Sequence, residues 1–252
     1  MKYKNYLEVI YPIEKRKVEI YIPWVIVQRI LSIPFLGLSI LLKISPNFIS
    51  FISIFLIFSA SFLMFLDFFI SGILVLTLAV IFDCVDGELA RVTKKTSILG
   101  ERLEHLAADL FSMIGIPSIA IWLFIYNDLS ILILFFCFLA ATSHVFIRNF
   151  FQFDSNVEIK KTVFFGKILL SQSKEFISIN DSSIFISIMF FLKMNLVTQD
   201  GILFFVIILS GIFYPQNLSY LVILVSISQI FFVSLIIFGS IAKNRITLFI
   251  KD

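Results

Sequence analysis

Residues 83–109 read DCVDGELARVTKKTSILGERLEHLAAD, and they follow fourteen uncharged residues, FISGILVLTLAVIF, at 69–82. Carboxylates are among the side chains least tolerated in hydrocarbon, yet Asp83 and Asp86 close a run apolar enough to enter it. On a helix advancing about 100° per residue, Asp83, Asp86, Gly87 and Ala90 fall within about 100° of one another. Two acids therefore share a face with two of the smallest side chains. Carboxylates at i and i+3 can jointly hold a hard divalent cation. Gly87 and Ala90 leave room for a ligand against the backbone, and Arg91 presents a planar fork suited to phosphate oxygens. Taken singly, each acid reads as a simple end to the apolar run. The whole spacing, D-x-x-D-G-x-x-A-R followed by eight residues and Gly100, points to a site.

The surrounding chain sets the environment of that site. Its 252 residues are 60% hydrophobic and 15% charged, where a soluble domain carries about a quarter charged residues. With a mean hydropathy of +1.04 and several runs near the roughly 20 apolar residues a crossing helix needs, the chain reads as all-α and polytopic. A net charge of +3, with the basic residues near membrane edges, gives no argument for nucleic acid. Cys84 and Cys137 lack metal-ligand spacing and read as small apolar residues. The opening residues are charged and amphipathic, without the pattern of a cleavable signal.

Hydropathy and charge predict six crossings. Residues 20–43 carry Arg29 near their middle and Pro23 and Pro34 within the run. A central Arg costs about 2.5–3.5 kcal/mol on insertion, so this segment is expected in the interface, with Arg29 on its wet face and Trp24 at headgroup depth. Crossings are then expected at 45–65, opened by Ser45 as N-cap and Pro46 at the first helical position, at 69–91, from Gly100 to Ile125 with a kink at Pro117, and at 129–150. A polar stretch at 151–181 precedes two short apolar runs within 182–214, counted as one broken element, and a last span at 219–242. Lys and Arg gather in residues 2–43, 91–102 and 148–174 and at the C-terminus, which puts both termini and the 91–102 loop in the cytosol. The expected division is a tail and interfacial helix at 1–44, a six-helix membrane domain at 45–245 and a cytosolic tail at 246–252.

At this point the chain resembles the CDP-alcohol phosphatidyltransferases, whose motif is D-x-x-D-G-x-x-A-R, about eight residues, then G-x-x-x-D-x-x-x-D. Asp83, Asp86, Gly87, Ala90, Arg91 and Gly100 match it. Glu104 takes the third acidic position, and Ala108 the fourth, with Asp109 one residue late. Pro46-Asn47 also matches a Pro-Asn pair at the start of the family's first span. The resemblance implies a metal-dependent transfer of a phosphatidyl or other phospho-alcohol group from a CDP-linked donor to a hydroxyl acceptor, with release of CMP, in phospholipid biosynthesis. It implies two divalent ions, Mg²⁺ or Mn²⁺, held by Asp83, Asp86 and Glu104, with Asn47, Gly87, Ala90, Arg91 and Gly100 shaping the nucleotide and phosphate site. It further implies membrane lipid as environment and a homodimer. Donor and acceptor stay open among CDP-diacylglycerol and CDP-linked soluble alcohols, and among glycerol phosphate, serine, inositol phosphate and a lipid hydroxyl.

The departure concerns the residue that takes the acceptor's proton. Glu104 and Asp109 stand about 140° apart on a straight helix. A π-bulge between them would bring them to one face. A one-residue slip would instead make His105 and Asp109 the facing pair, His105 having a pKa suited to proton exchange near neutrality. In the third arrangement nothing replaces the base, and the chain is a catalytically inactive scaffold or partner subunit. A cation transporter predicts midplane acids and inverted repeats, whereas the acids here cluster at one edge. His144 and Arg148 read as interfacial residues, Lys160, Lys161, Lys167 and Lys174 as a basic cytosolic loop, Asp67 as a solvated turn residue, and Glu101 as a partner of Arg102.

Overall fold

Ser45 and Pro46 open a helix where the sequence expects one. Ser45 lies in extended backbone and its Oγ accepts the Phe48 N–H, while Pro46 occupies a position whose N–H has no intrahelical use. In the computed structural model, which describes residues 23–128, 130–154 and helical pieces between 219 and 234, the elements are α1 (Pro23–Leu41), α2 (Pro46–Phe65), α3 (Phe69–Thr93), α4 (Ile98–Leu110), a π turn (Phe111–Gly115), α5 (Ile116–Tyr126) and α6 (Ile131–Asp154). All regular structure among the described residues is helical. Four stretches are long and apolar enough to cross a membrane: Trp24–Leu41, Pro46–Phe65, Phe69–Thr93 and the continuous Ile98–Tyr126. Ile131–Thr142 is a shorter apolar helix. The expected elements at 182–214 and 219–242, the polar stretch 151–181 and the tail 246–252 lie wholly or largely outside the described residues, as do the side chains of His144 and Arg148.

The helices pack small faces inward and turn large apolar side chains outward. On α2, Ser50, Ser53, Ile57, Ala60 and Met64 are buried, whereas Phe48, Phe51, Phe55, Phe58, Phe62 and Phe65 are exposed. That is the arrangement expected in lipid, where hydrocarbon solvates phenylalanine and close backbone approach holds helices together. α3 lies along the small face of α2. Ser53 Oγ donates to the Ala79 carbonyl at 2.9 Å, and a Cβ at Gly72 would stand 2.5 Å from Met64 Cγ. Lys94, at φ 55°, ends α3 in a left-handed turn that closes on the Ala90 carbonyl, and Ser97 then caps α4.

α1 corrects one expectation. Its buried stripe is largely polar, Gln28, Ser32 and Ser39 with Val25 and Leu36, while Ile26, Ile30, Ile33, Leu38 and Leu41 are exposed. Arg29 is not on a wet face: its Nη1 donates to Oε1 of the fully buried Glu88 on α3 at 2.9 Å. The physical reason is Glu88 itself, a buried counter-charge that pairs with the guanidinium and offsets part of the desolvation penalty that argued for water.

The long helix 98–126 contains a π turn, but not where it would unite Glu104 with Asp109. α4 is regular α-helix through Leu110, and the i→i+5 pattern occupies Phe111–Gly115, with the Ile116 N–H donating to the Phe111 carbonyl. Pro117 explains the placement. Its ring clashes with the carbonyl four residues back and cannot donate a hydrogen bond, and a widened turn just before it relieves both problems. Pro117 stands at the start of the α-helical segment that follows this π turn.

Candidate active site

Two helix N-termini and one helix C-terminus meet to form the site. Ser97 Oγ donates to Asn47 Oδ1 at 3.2 Å and accepts the Gly100 N–H at 3.0 Å, joining the start of α4 to the start of α2. Gly100 permits that approach, because a Cβ there would lie 2.9 Å from Asn47 Oδ1 and 3.2 Å from Ser97 Oγ. α2 also holds the acid end of α3: Ser50 Oγ donates to Asp86 Oδ2. Between these contacts opens a cleft of about 450 Å³.

Each element contributes part of the lining. α2 supplies Pro46, Asn47 and Ser50, α3 supplies Asp86, Gly87 and Ala90, and the connection supplies Lys95, Thr96 and Ser97. Ile98, Gly100, Glu101 and Glu104 close the cleft from α4. The first half of the motif therefore faces the second across one cavity, with Asn47 beside them. Arg91 does not line the cavity but folds back along α3, its Nη1 3.3 Å from where a Cβ on Gly87 would be. Gly87 is the space that lets this guanidinium lie close to the cleft wall.

The other expected residues stand off the lining. Asp83 is one helical turn further into the bundle than Asp86 and half-buried. His105 and Asp109 are also half-buried and are not among the residues lining the cleft, although on a regular α4 they stand only about 40° and 80° round the helix from Glu101. Among the described residues, no group of three or more His, Cys, Asp or Glu side chains is arranged to hold a metal ion. Two carboxylates of the expected trio, Asp86 and Glu104, do open on the same cleft.

Sequence reasoning missed Ser50, Lys95, Ser97 and Glu101. Ser50 lies one turn after Asn47 on the buried stripe of α2, a signal available from helical spacing once Asn47 is singled out. Lys95 and Ser97 depend on the left-handed turn at Lys94, which no local pattern announces. Glu101, expected to pair with Arg102, lines the cleft instead; adjacent helical residues point about 100° apart and do not face each other.

The Gly100 contact gives a direct test of the geometry. Gly100→Ala forces the new methyl into Asn47 and Ser97, and overpacking of this kind costs about 1–3 kcal/mol. The expected result is a lowered thermal midpoint in detergent and weaker ligand binding at the cleft. An unchanged midpoint together with unchanged binding would show that the two N-termini do not meet as described.

Neither a curated protein nor a solved structure matches the chain. A family model does match, over residues 43–213, which includes α2, α3, α4 and the whole cleft lining. The matching model is that of the CDP-alcohol phosphatidyltransferases, and with four helices long and apolar enough to cross a bilayer the chain is an integral membrane protein belonging to that family.

Proposed function

We propose that the protein transfers a phosphatidyl or other phospho-alcohol group from a CDP-linked donor to a hydroxyl acceptor, releasing CMP, as a step of phospholipid synthesis. One observation carries the reading: residues 86–90 and 100–104, the two halves of the motif, open on a single cleft beside Asn47. The N-termini of α2 and α4 also end there, and helix N-termini favour anionic groups. Lys95 adds a positive charge at the lining. A pyrophosphate carrying hard cations matches a cleft with both acidic and anion-attracting walls.

The donor chemistry fits Mg²⁺ or Mn²⁺. Asp86 and Glu104 share the cleft and Asp83 lies one turn from Asp86, all oxygen ligands of the kind hard divalent ions prefer. When bound, such ions offset charge on the pyrophosphate and on the transferring phosphoryl group. The remaining work belongs to the chain. Ser50 fixes the orientation of Asp86 through its Oδ2, and the Ser97–Asn47 contact fixes the nucleotide side of the cleft. Holding the donor against rigid helix ends favours in-line attack by the acceptor oxygen. The acceptor's proton goes to a side chain of α4. Glu101 and Glu104 line the cleft, with His105 and Asp109 further round the helix. Substituting the four in turn identifies the acceptor of the proton as the residue whose loss removes kcat at unchanged donor KM.

The topology proposed with this function is six crossings, with both termini and the cleft on the cytosolic side and α1 at the inner surface. Supporting the placement of α1, these described contacts with α3 fall in the second half of that helix: Arg29 and Ser32 meet Glu88, and the Phe35 ring packs 5.1 Å from that of Phe82.

The test is CMP release from purified protein supplied with CDP-linked donors, Mn²⁺ and the candidate alcohols in turn. Turnover is expected with one acceptor, abolished by EDTA and restored by Mn²⁺. A second reading, a catalytically silent membrane subunit, draws on Ala108 at the fourth acidic position and on the missing three-acid cluster among the described residues. It predicts no CMP from any donor and acceptor pair.

A further inference from the structure

Three consecutive residues at the acid-bearing end of α3 reach in different directions. Asp86 accepts Ser50 Oγ of α2, and Gly87 opens on the cleft. Glu88, fully buried, takes Arg29 Nη1 on Oε1 and Ser32 Oγ on Oε2, both at 2.9 Å and both from α1. At about 100° per residue, Asp86 and Glu88 leave α3 about 200° apart. The helix is therefore gripped from nearly opposite sides at the level of the cleft. Buried ion pairs are weak sources of net stability, because desolvation offsets their Coulomb gain. Their directional bonds nonetheless constrain geometry, and two acceptor oxygens with separate donors on α1 admit one rotation of α3.

We propose that Glu88 is a positioning residue for the transfer reaction, acting through Asp83 and Asp86. The Arg29–Glu88–Ser32 clamp sets the rotation of α3 that aims those acids, and it makes α1 part of the working site rather than a peripheral anchor. This rests on the transferase reading. With side chains about 5–6 Å from the helix axis, a rotation of about 10° moves a carboxylate by about 1 Å, a misplacement able to cost ~100-fold in rate.

The experiment compares Arg29→Met, Glu88→Leu and the double variant, each in detergent. Either single change leaves a buried charge or a buried polar group without its counterpart and lowers the thermal midpoint. The double variant is expected to regain the midpoint, since apolar replacement of a buried pair is often neutral. Its kcat is expected to stay about 10–100-fold down, as for loss of other residues that orient metal-binding side chains, with donor KM little changed. Arg29→Lys, which keeps a cation opposite Glu88, is expected to recover part of kcat. Full kcat in the double variant overturns the proposal.

A second readout needs no turnover. Cys84 sits next to Asp83 on α3 and is half-buried, so its alkylation by N-ethylmaleimide in a Cys137→Ala background reports helix rotation. The proposal expects R29M/E88L to change that rate, and an unchanged rate overturns it. If wild type releases no CMP with any substrate pair, the transferase reading fails while the labelling still decides the clamp. If R29M/E88L does not fold, Ser32→Ala removes one donor and spares the ion pair; unchanged kcat and unchanged labelling there also overturn the proposal.

Discussion

Replacing Asp86 by Asn lowers CMP release by at least about 100-fold, the upper end of what loss of a supporting residue around a metal costs, and leaves the fold intact. The amide is nearly isosteric with the carboxylate and still accepts the Ser50 hydroxyl, so the α2–α3 contact survives. What disappears is the charge that a divalent cation requires from its ligand. The measurement is CMP release across a Mn²⁺ series, with the thermal midpoint as control. Activity within a few-fold of wild type at every Mn²⁺ concentration would remove Asp86, and with it the cleft, from the chemistry. A partial loss recovered at high Mn²⁺ locates the defect in metal affinity.

Trp122→Ala acts at the other end of the bundle and on stability. Trp122 is buried on α5, its ring stacks on Phe69 with centroids 4.1 Å apart, and its Nε1 donates to Asp67 Oδ1 at 2.9 Å. Tyr126 ties the same helix to the α2 end through the Phe65 carbonyl. Truncating a buried Trp leaves a cavity and costs about 3–5 kcal/mol. Trp122→Phe keeps most of the stacking and loses one hydrogen bond, about 0.5–1.5 kcal/mol, since the exposed Asp67 can turn to water. The thermal midpoint in detergent is expected to fall much further for Ala than for Phe. Equal midpoints for the two would show that the ring does not pack as described. Turnover at temperatures where both variants are folded is expected to stay near wild type, because the cleft lies at the opposite end of α3.

The same residues show where local reading stopped. Asp67 reads as a solvated turn residue because its only sequence cue is a polar position between two spans. Its partner is 55 residues away, and no periodicity connects them. Arg29 is a sharper case. A charge inside an apolar helix has two remedies, water or a buried counter-charge, and the helix's own sequence favours water. Glu88 supplies the other remedy from 59 residues away. It lies inside the motif, at one of the unspecified positions next to Asp86 and Gly87, which line the α3 wall of the cleft.

The sequence by itself determined the helices and the chemistry offered at one edge of the bundle. The Ser45–Pro46 start, the ends of α3 and the continuous helix across residues 98–126 follow from capping, apolar run length and bilayer thickness, all local properties. So does the clustering of acids with Gly87, Ala90 and Gly100. Only the tertiary structure decided which of those acids share a cavity, that Ser50 and Glu101 join them, that Arg29 turns inward, and that the π turn falls beside Pro117 rather than between Glu104 and Asp109. Those outcomes depend on how helices distant in sequence rotate against one another. In a bilayer that rotation is set by close small-residue contacts and by the pairing of buried polar groups, which a single stretch of chain does not encode.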